Sequence, residues 1–153
     1  MAEVRRATTD DIAELVRLRE VMMQSVLGEA GTGWHEVCAD LLATALTDGS
    51  MVAIVVDKPT GDGLAACGVG VLSQRLPGPN CLDGRYGYIQ SMVTEDAHRR
   101  QGLARLVFEA LMAWFRELGV TRVDLHASSM GEPLYRQLGF TEGSEPELRW
   151  RAG

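Results

Sequence analysis

Between Tyr88 and Phe140 the chain changes its hydrophobic period twice, and this stretch restricts the fold more than any other. Tyr88 to Thr94 is an apolar strand by composition. A basic loop, Arg99-Arg100-Gln101-Gly102-Leu103-Ala104, follows and runs straight into a helical pattern. There Leu103, Leu106, Val107, Ala110, Leu111, Trp114 and Leu118 recur on one side. Gly119 ends the helix, and Thr121 to His126 alternates as a strand. Strand, helix, strand in succession is a crossover unit, so the two strands are expected to be parallel. The loop aims the free N–H groups of a helix start, with Arg99, Arg100 and Arg105 nearby, at one point. Such a point binds phosphate.

The remaining segments supply a sheet around that unit. Val4 to Ala7 suits a short first strand, and Thr8 with Asp11 forms a capping-box pattern that opens a helix. Its apolar side is Ile12, Leu15, Val16, Met22, Met23 and Val26, broken by Gly28, Gly31 and Gly33. Trp34 to Leu46 reads as a second helix, stopped at Asp48-Gly49. Met51 to Val56 is a buried strand, Asp57 to Gly63 a turn, Leu64 to Leu72 a third strand and Pro77 to Asn80 a surface loop. Pro133 sits in the first turn of a short helix ending at Leu138-Gly139. Phe140 onward, with Leu148 to Trp150, predicts one or two final strands. Short turns make the early strands antiparallel. The expected class is α/β (α+β): a mixed, mostly antiparallel sheet with a parallel βαβ core and helices on both faces, in one domain over residues 1–153.

Composition narrows the ligand. A net charge of −6 disfavours nucleic acid and anionic membranes as partners, so the local arginine cluster suits a small phosphorylated molecule. No apolar run approaches a membrane span and no signal-peptide core opens the chain, which gives a cytoplasmic expectation. Cys38, Cys67 and Cys81 form no C-x-x-C pair, and His35, His98 and His126 are scattered, so no metal site is expected. Gly61-Asp62-Gly63-Leu64-Ala65-Ala66 matches a relaxed dinucleotide pattern. That pattern requires a strand before it and a helix after it, whereas Pro59 and the β-like run Val69 to Leu72 indicate a hairpin.

The motif R-x-x-G-x-A at Arg99 to Ala104 resembles the pyrophosphate-binding signature of the GNAT superfamily, N-acyltransferases that use acetyl-CoA. Leu134-Tyr135-Arg136-Gln137-Leu138-Gly139-Phe140 resembles that family's second signature, L-Y-x-x-L-G-F. Val4 to Thr8 with Asp10-Asp11-Ile12 is similar to its first strand and helix. Leu125-His126-Ala127-Ser128 resembles the L-H-A-S segment of some bacterial members. The resemblance is strong over residues 88–140 and silent over 28–85.

The resemblance implies a GNAT fold, acetyl-CoA (coenzyme A) as acyl donor and transfer to a primary amine, on a small molecule or a peptide, by direct attack in a ternary complex. Met92, Val93 and Thr94 would pair through their backbone with the pantetheine arm, with the Val93 N–H polarising the thioester carbonyl. Arg99, Arg100, Gln101, Gly102, Leu103 and Ala104, with Arg105 beside them, would cradle the pyrophosphate. Tyr135 would protonate the departing thiolate. Ser128 stands where the family often has Asn, and Asp96 where it commonly has Pro.

Asp124 or His126 is the candidate base, with water as the alternative carrier; Gln90 cannot titrate. His35 and Glu36 belong either to the acceptor side or to a solvated helix face. Cys67 and Cys81 have no evident activating partner, which disfavours a thiol relay. The acceptor pocket is expected from residues 20–50 and the loop 74–86, and the negative charge favours a cationic amine. Leu148 and Trp150, with Met22, Met23 and Trp34, either supply spare apolar surface for a homodimer or finish the core of a monomer. A non-catalytic acyl-CoA sensor on the same fold is the alternative, separable by turnover with amines.

Overall fold

The computed structural model describes residues 2–153. Its centre is a five-stranded sheet in sequence order, β1 (Arg5–Arg6), β2 (Met51–Asp57), β3 (Leu64–Gln74), β4 (Arg85–Thr94) and β5 (Val123–Leu125). Neighbours are antiparallel from β1 to β4, and β4 and β5 are parallel, as the crossover demands. Helices α1 (Ile12–Leu27) and α2 (His35–Asp48) cover one face. Helix α3 (Leu103–Glu117) and the short α4 (Glu132–Gln137) cover the other.

The apolar run of β2 is sorted by the two-residue period of a strand. Val52, Ile54 and Val56 point into the α3 layer, while Ala53 and Val55 point into the α1–α2 layer. On α3 the buried residues are Leu103, Val107, Phe108, Leu111, Trp114 and Phe115. The buried stripe therefore turns further than the sequence reading had it and takes in Phe108 and Phe115, leaving Leu106, Ala110 and Leu118 at its margin. Leu18 likewise joins the buried side of α1, whereas Val26 is exposed.

At the chain start the capping box forms, with the Thr8 N–H donating to Asp11 at 2.8 Å. It opens a 3-10 turn (Thr9–Asp11) that leads into α1. The Arg5 guanidinium donates to both Asp11 and Asp57, at 2.9 and 2.8 Å, and ties β1 to the start of α1 and the end of β2. Arg5 holds both carboxyls below the usual carboxylate range. The Gly61–Gly63 segment lies in the turn of the β2–β3 hairpin, with strands on both sides, so the dinucleotide pattern has no helix to serve.

One expectation is corrected: the chain forms no strand after Phe140 among the described residues. Thr141 to Glu147 carries three Glu, a Gly and a Pro, so it has little to bury and one N–H fewer to pair. Leu148 and Trp150 stand 88% and 85% exposed on an extended tail. Residues 74–86 close on themselves through Gly78 and Cys81 and through the Gln74 amide, which donates to the Asp83 carbonyl.

Three glycines let α3 lie flat on the sheet. A Cβ at Gly68 would stand 2.8 Å from Val107 and 3.0 Å from Leu111, and one at Gly87 would stand 2.6 Å from the Phe115 ring. Gly70 faces Phe115, Trp114 and Leu111 in the same way. Gly68→Ala should therefore overpack this layer and destabilise the fold by about 1–3 kcal/mol. Thermal unfolding should show the midpoint falling by roughly 3–10 °C; an unchanged midpoint would mean that α3 gives way freely.

Candidate active site

The site is built where β4 loses its second neighbour. β5 pairs with β4 only at Gly87, Tyr88 and Ile89, while β4 runs on to Thr94 against β3 alone. In this stretch β4 also bulges: Ser91 and Met92 together stand opposite Gly68, and Ser91 has a φ of +56°. A serine in the left-handed region costs energy and is kept by its surroundings. Its hydroxyl lies 2.6 Å from the Arg19 guanidinium, which donates to it, and its carbonyl accepts from the Cys67 thiol at 3.6 Å.

Three cavities open along this region, the second sharing lining residues with each of the other two. The largest, about 680 Å³, runs past Met92, Val93, Thr94 and Ser128 to the start of α3. Arg99, Arg100, Gly102, Leu103, Ala104, Arg105 and Tyr135 also border it, while Gln101 is exposed and stands outside the lining. Gly102 is the N-cap of α3 at φ +76° and Arg100 precedes it at φ +63°. No side chain caps the helix, so its first N–H groups remain available to a ligand. Arg99 contacts Asp96 at 3.1 Å, and Arg105 contacts Glu109 and Gln137.

Tyr135 is 9% exposed on α4, packed beside Phe108 and Phe140, and borders both this cleft and the next cavity. Burial raises its hydroxyl above the ordinary tyrosine range, which keeps the proton on it at neutral pH. The Ser128 hydroxyl accepts from the Gly131 N–H at 3.2 Å and shapes the turn into α4.

The second cavity, about 400 Å³, lies between α1 and the parting strands, against Tyr88, Gln90, Ser91, Met92, His126 and Tyr135. His126 is held from both sides: Nδ1 meets the Tyr88 hydroxyl and Nε2 meets the Glu147 carboxylate. Asp124 stands outside all three cavities, in a surface ion pair with Arg122 at 3.3 Å. His35 stacks on Trp34 and bonds Glu20 at 2.9 Å; neither His35 nor Glu36 reaches a cavity.

The third cavity, about 290 Å³, lies between α1, α2 and the sheet. Met23, Trp34, Val37, Leu41 and Met51 form its apolar wall, and Arg19, Gln90 and Ser91 are shared with the second cavity. Residues of the 20–50 segment line this cavity, whereas the 74–86 loop borders none of the three. That loop sits at the opposite end of the β3–β4 hairpin from the bulge. Burial pushes the Cys67 thiol up to about 12, far from a reactive thiolate.

Sequence reasoning missed Arg19, Ser91, Tyr88 and Glu147. Arg19 left a signal, because Leu15, Arg19 and Met23 fall on one helix face at four-residue spacing and a charge interrupts an apolar stripe. The others became partners only through the bulge and the returning tail.

Comparison with known proteins agrees with this geometry. The model of the acetyltransferase (GNAT) family matches residues 19–140. Over 85 residues the chain is 36% identical to the uncharacterized N-acetyltransferase YsnE of Bacillus subtilis; the match covers 52% of this chain and 50% of that protein. The chain thus spans about half the length of this curated relative. A predicted acetyltransferase of Clostridium acetobutylicum, crystallised with acetyl-CoA, superposes with a TM-score of 0.89 at 25% identity, covering 97% of this chain and 96% of that one. A GCN5-related N-acetyltransferase of Ralstonia eutropha gives 0.82 at 27% identity, covering 98% and 99%.

A Cβ at Gly102 would meet no protein atom within 4 Å, yet Gly102 borders the cleft and has positive φ. In Gly102→Val the branched side chain occupies the approach to the α3 N-terminus and disfavours its backbone geometry. Calorimetry should show coenzyme A affinity falling at least tenfold, with circular dichroism reporting an intact fold. Unchanged affinity would place the pyrophosphate elsewhere.

Proposed function

The chain belongs to the acetyltransferase (GNAT) family, and from that premise we propose that it moves an acetyl group from acetyl-CoA to a primary amine by direct attack in a ternary complex. One observation carries the reading: an uncapped, arginine-flanked helix start shares a continuous cleft with a buried tyrosine at the parting of β4 and β5. The Clostridium acetobutylicum neighbour crystallised with acetyl-CoA supports the donor.

The pyrophosphate binds the α3 N-terminus beside Arg99, Arg100 and Arg105, and the pantetheine arm pairs with the β4 edge at Met92 to Thr94. When bound, acetyl-CoA supplies the activated acyl carbon and a thiolate leaving group. The Val93 N–H faces Cys67 of β3, two residues before the Glu95 N–H that donates to the Ala65 carbonyl, so the thioester carbonyl is polarised instead by an N–H of the open edge, at Met92 or Thr94. The amine nitrogen attacks the carbonyl carbon, a C–N bond forms, and the C–S bond breaks. Tyr135 gives its proton to the departing sulfur, for which its buried, protonated hydroxyl is suited.

The nitrogen must also shed a proton. His126 serves as its acceptor, reached through Tyr88 at the cavity wall, with Glu147 fixing the ring. The Arg122–Asp124 pair favours His126 over Asp124 in this role. A covalent thiol intermediate is disfavoured by the buried Cys67.

Thiol release from acetyl-CoA with a panel of amines tests the activity, and its complete absence with bound cofactor would leave a sensor module. Tyr135→Phe keeps the packing and removes the proton. The turnover number should fall about tenfold or more with acetyl-CoA affinity nearly unchanged. The raised hydroxyl also predicts an alkaline limb above the ordinary tyrosine range, where rate falls as pH rises through it; the Phe variant should lack that limb. Turnover of Tyr135→Phe at the parent rate would reject the acid role.

Leu148 and Trp150, exposed on the tail that follows Glu147, support a two-fold homodimer. Light scattering at micromolar concentration should give twice the mass of one chain, and a species of single-chain mass would reject the dimer.

A further inference from the structure

Arg19 is a half-buried cation that has no anionic partner among the described residues. It lines the second and third cavities, and it donates to a neutral acceptor, the Ser91 hydroxyl at 2.6 Å. Its neighbour Arg17, two positions along the same helix, is fully paired, contacting both Glu14 and Glu95. Glu20, the next residue, is turned to His35. Among the described residues no carboxylate lies within ion-pair distance of Arg19, although the chain carries 21 Asp and Glu. Holding a guanidinium between apolar walls without a counter-charge is costly, and a bound anion removes that cost.

The surroundings restrict which anion. On one side of Arg19 the third cavity offers Met23, Trp34, Val37, Leu41 and Met51, a small apolar recess of about 290 Å³. On the other, the second cavity leads along Ser91 and Met92 to Tyr135, where the acetyl group is handed over in the reading above. A ligand seated here presents three groups in a fixed order: an apolar side chain, an anion and an amine. Ser91 joins Arg19 to the very strand segment that would hold the thioester, so anion and amine must sit close together on the ligand.

Resting on the acetyl-transfer reading, we propose that the acceptor is a free α-amino acid with an apolar side chain, its carboxylate bound by Arg19. Its side chain enters the α1–α2 recess, and its amine faces Met92 and Tyr135. The local cation thereby reverses the preference for a cationic acceptor that the net charge of −6 suggests. A peptide N-terminus lacks the carboxylate on the same carbon and is a poor fit, and so is a phosphorylated amino sugar, which has nothing apolar for the recess.

The test compares L-phenylalanine, L-methionine and L-leucine with the amines obtained by removing their carboxylates, alongside glucosamine 6-phosphate and a short peptide. The amino acids should exceed their amines in kcat/KM by at least 30-fold. In Arg19→Gln that ratio should fall by about 10- to 100-fold, chiefly through a raised KM for the amino acid, with Arg19→Lys recovering part of it. Acetyl-CoA calorimetry reports the fold of each variant. Amines, peptide or amino sugar turned over as well as the amino acids, or a ratio unmoved in Arg19→Gln, would overturn the proposal. If no acceptor is turned over, the acetyl-transfer reading fails on its own. Calorimetric titration of the coenzyme A-loaded protein with L-phenylalanine and phenethylamine then decides: binding of the amino acid alone, lost in Arg19→Gln, supports the assignment, and equal or absent binding rejects it.

Discussion

A strand that loses a neighbour half-way along its length must find other partners for its backbone. β4 is in that position from Gln90 to Thr94, because β5 ends its pairing at Ile89. Unpaired N–H and C=O groups along one edge are costly if buried dry and useful if a ligand pairs with them. The rest of the site follows from this one unmet demand. The cleft exists because the strands part, α3 starts at its mouth because the crossover begins where β4 ends, and α4 closes its far wall with Tyr135. The bulge at Ser91 turns the strand within the same few residues and is pinned from both sides, by Arg19 and by Cys67.

Charge is distributed by the same logic. The surface arginines are largely spent in exposed pairs such as Arg136 with Glu132 and Glu142, which contribute little. Those near the cleft are less fully neutralised, and Arg100, at positive φ beside the uncapped helix, has no ion-pair partner among the described residues. An acidic protein can hold a polyanion where binding is local, as proposed at the start of α3: a helix terminus and a few guanidinium groups act over distances shorter than the screening length.

Much of this was legible in the sequence, for physical reasons that differ by element. The βαβ unit was readable because two periods, of two residues and 3.6, abut across a loop with a glycine that must adopt positive φ. The buried run of β2 and the hairpin turn at Lys58 to Gly63 were readable from composition. The end of the chain was not, because Leu148 and Trp150 alternate with Arg149 and Arg151 as a strand would, yet find no partner to pair with. The Tyr88–His126–Glu147 chain and the Ser91 bulge depend on segments far apart in sequence, and no local pattern encodes them. Arg19 lay in view as a charge on an apolar stripe, but its meaning depends on which carboxylates are absent around it.

The third cavity has one wall in the core and one wall outside it. Leu42 and Val69 are buried and hold the fold, whereas Val37 and Leu41 remain 67% and 55% exposed. Exchanging an exposed side chain on a helix changes stability by only a few tenths of a kcal/mol. The outer wall can therefore change shape over evolutionary time with little effect on folding, while the glycine-seated α3 on the opposite face is held constant by the core. With the acceptor seated as proposed, selection for new acceptors acts on a part of the molecule that folding scarcely depends on, so one scaffold can diversify its chemistry without first acquiring extra stability.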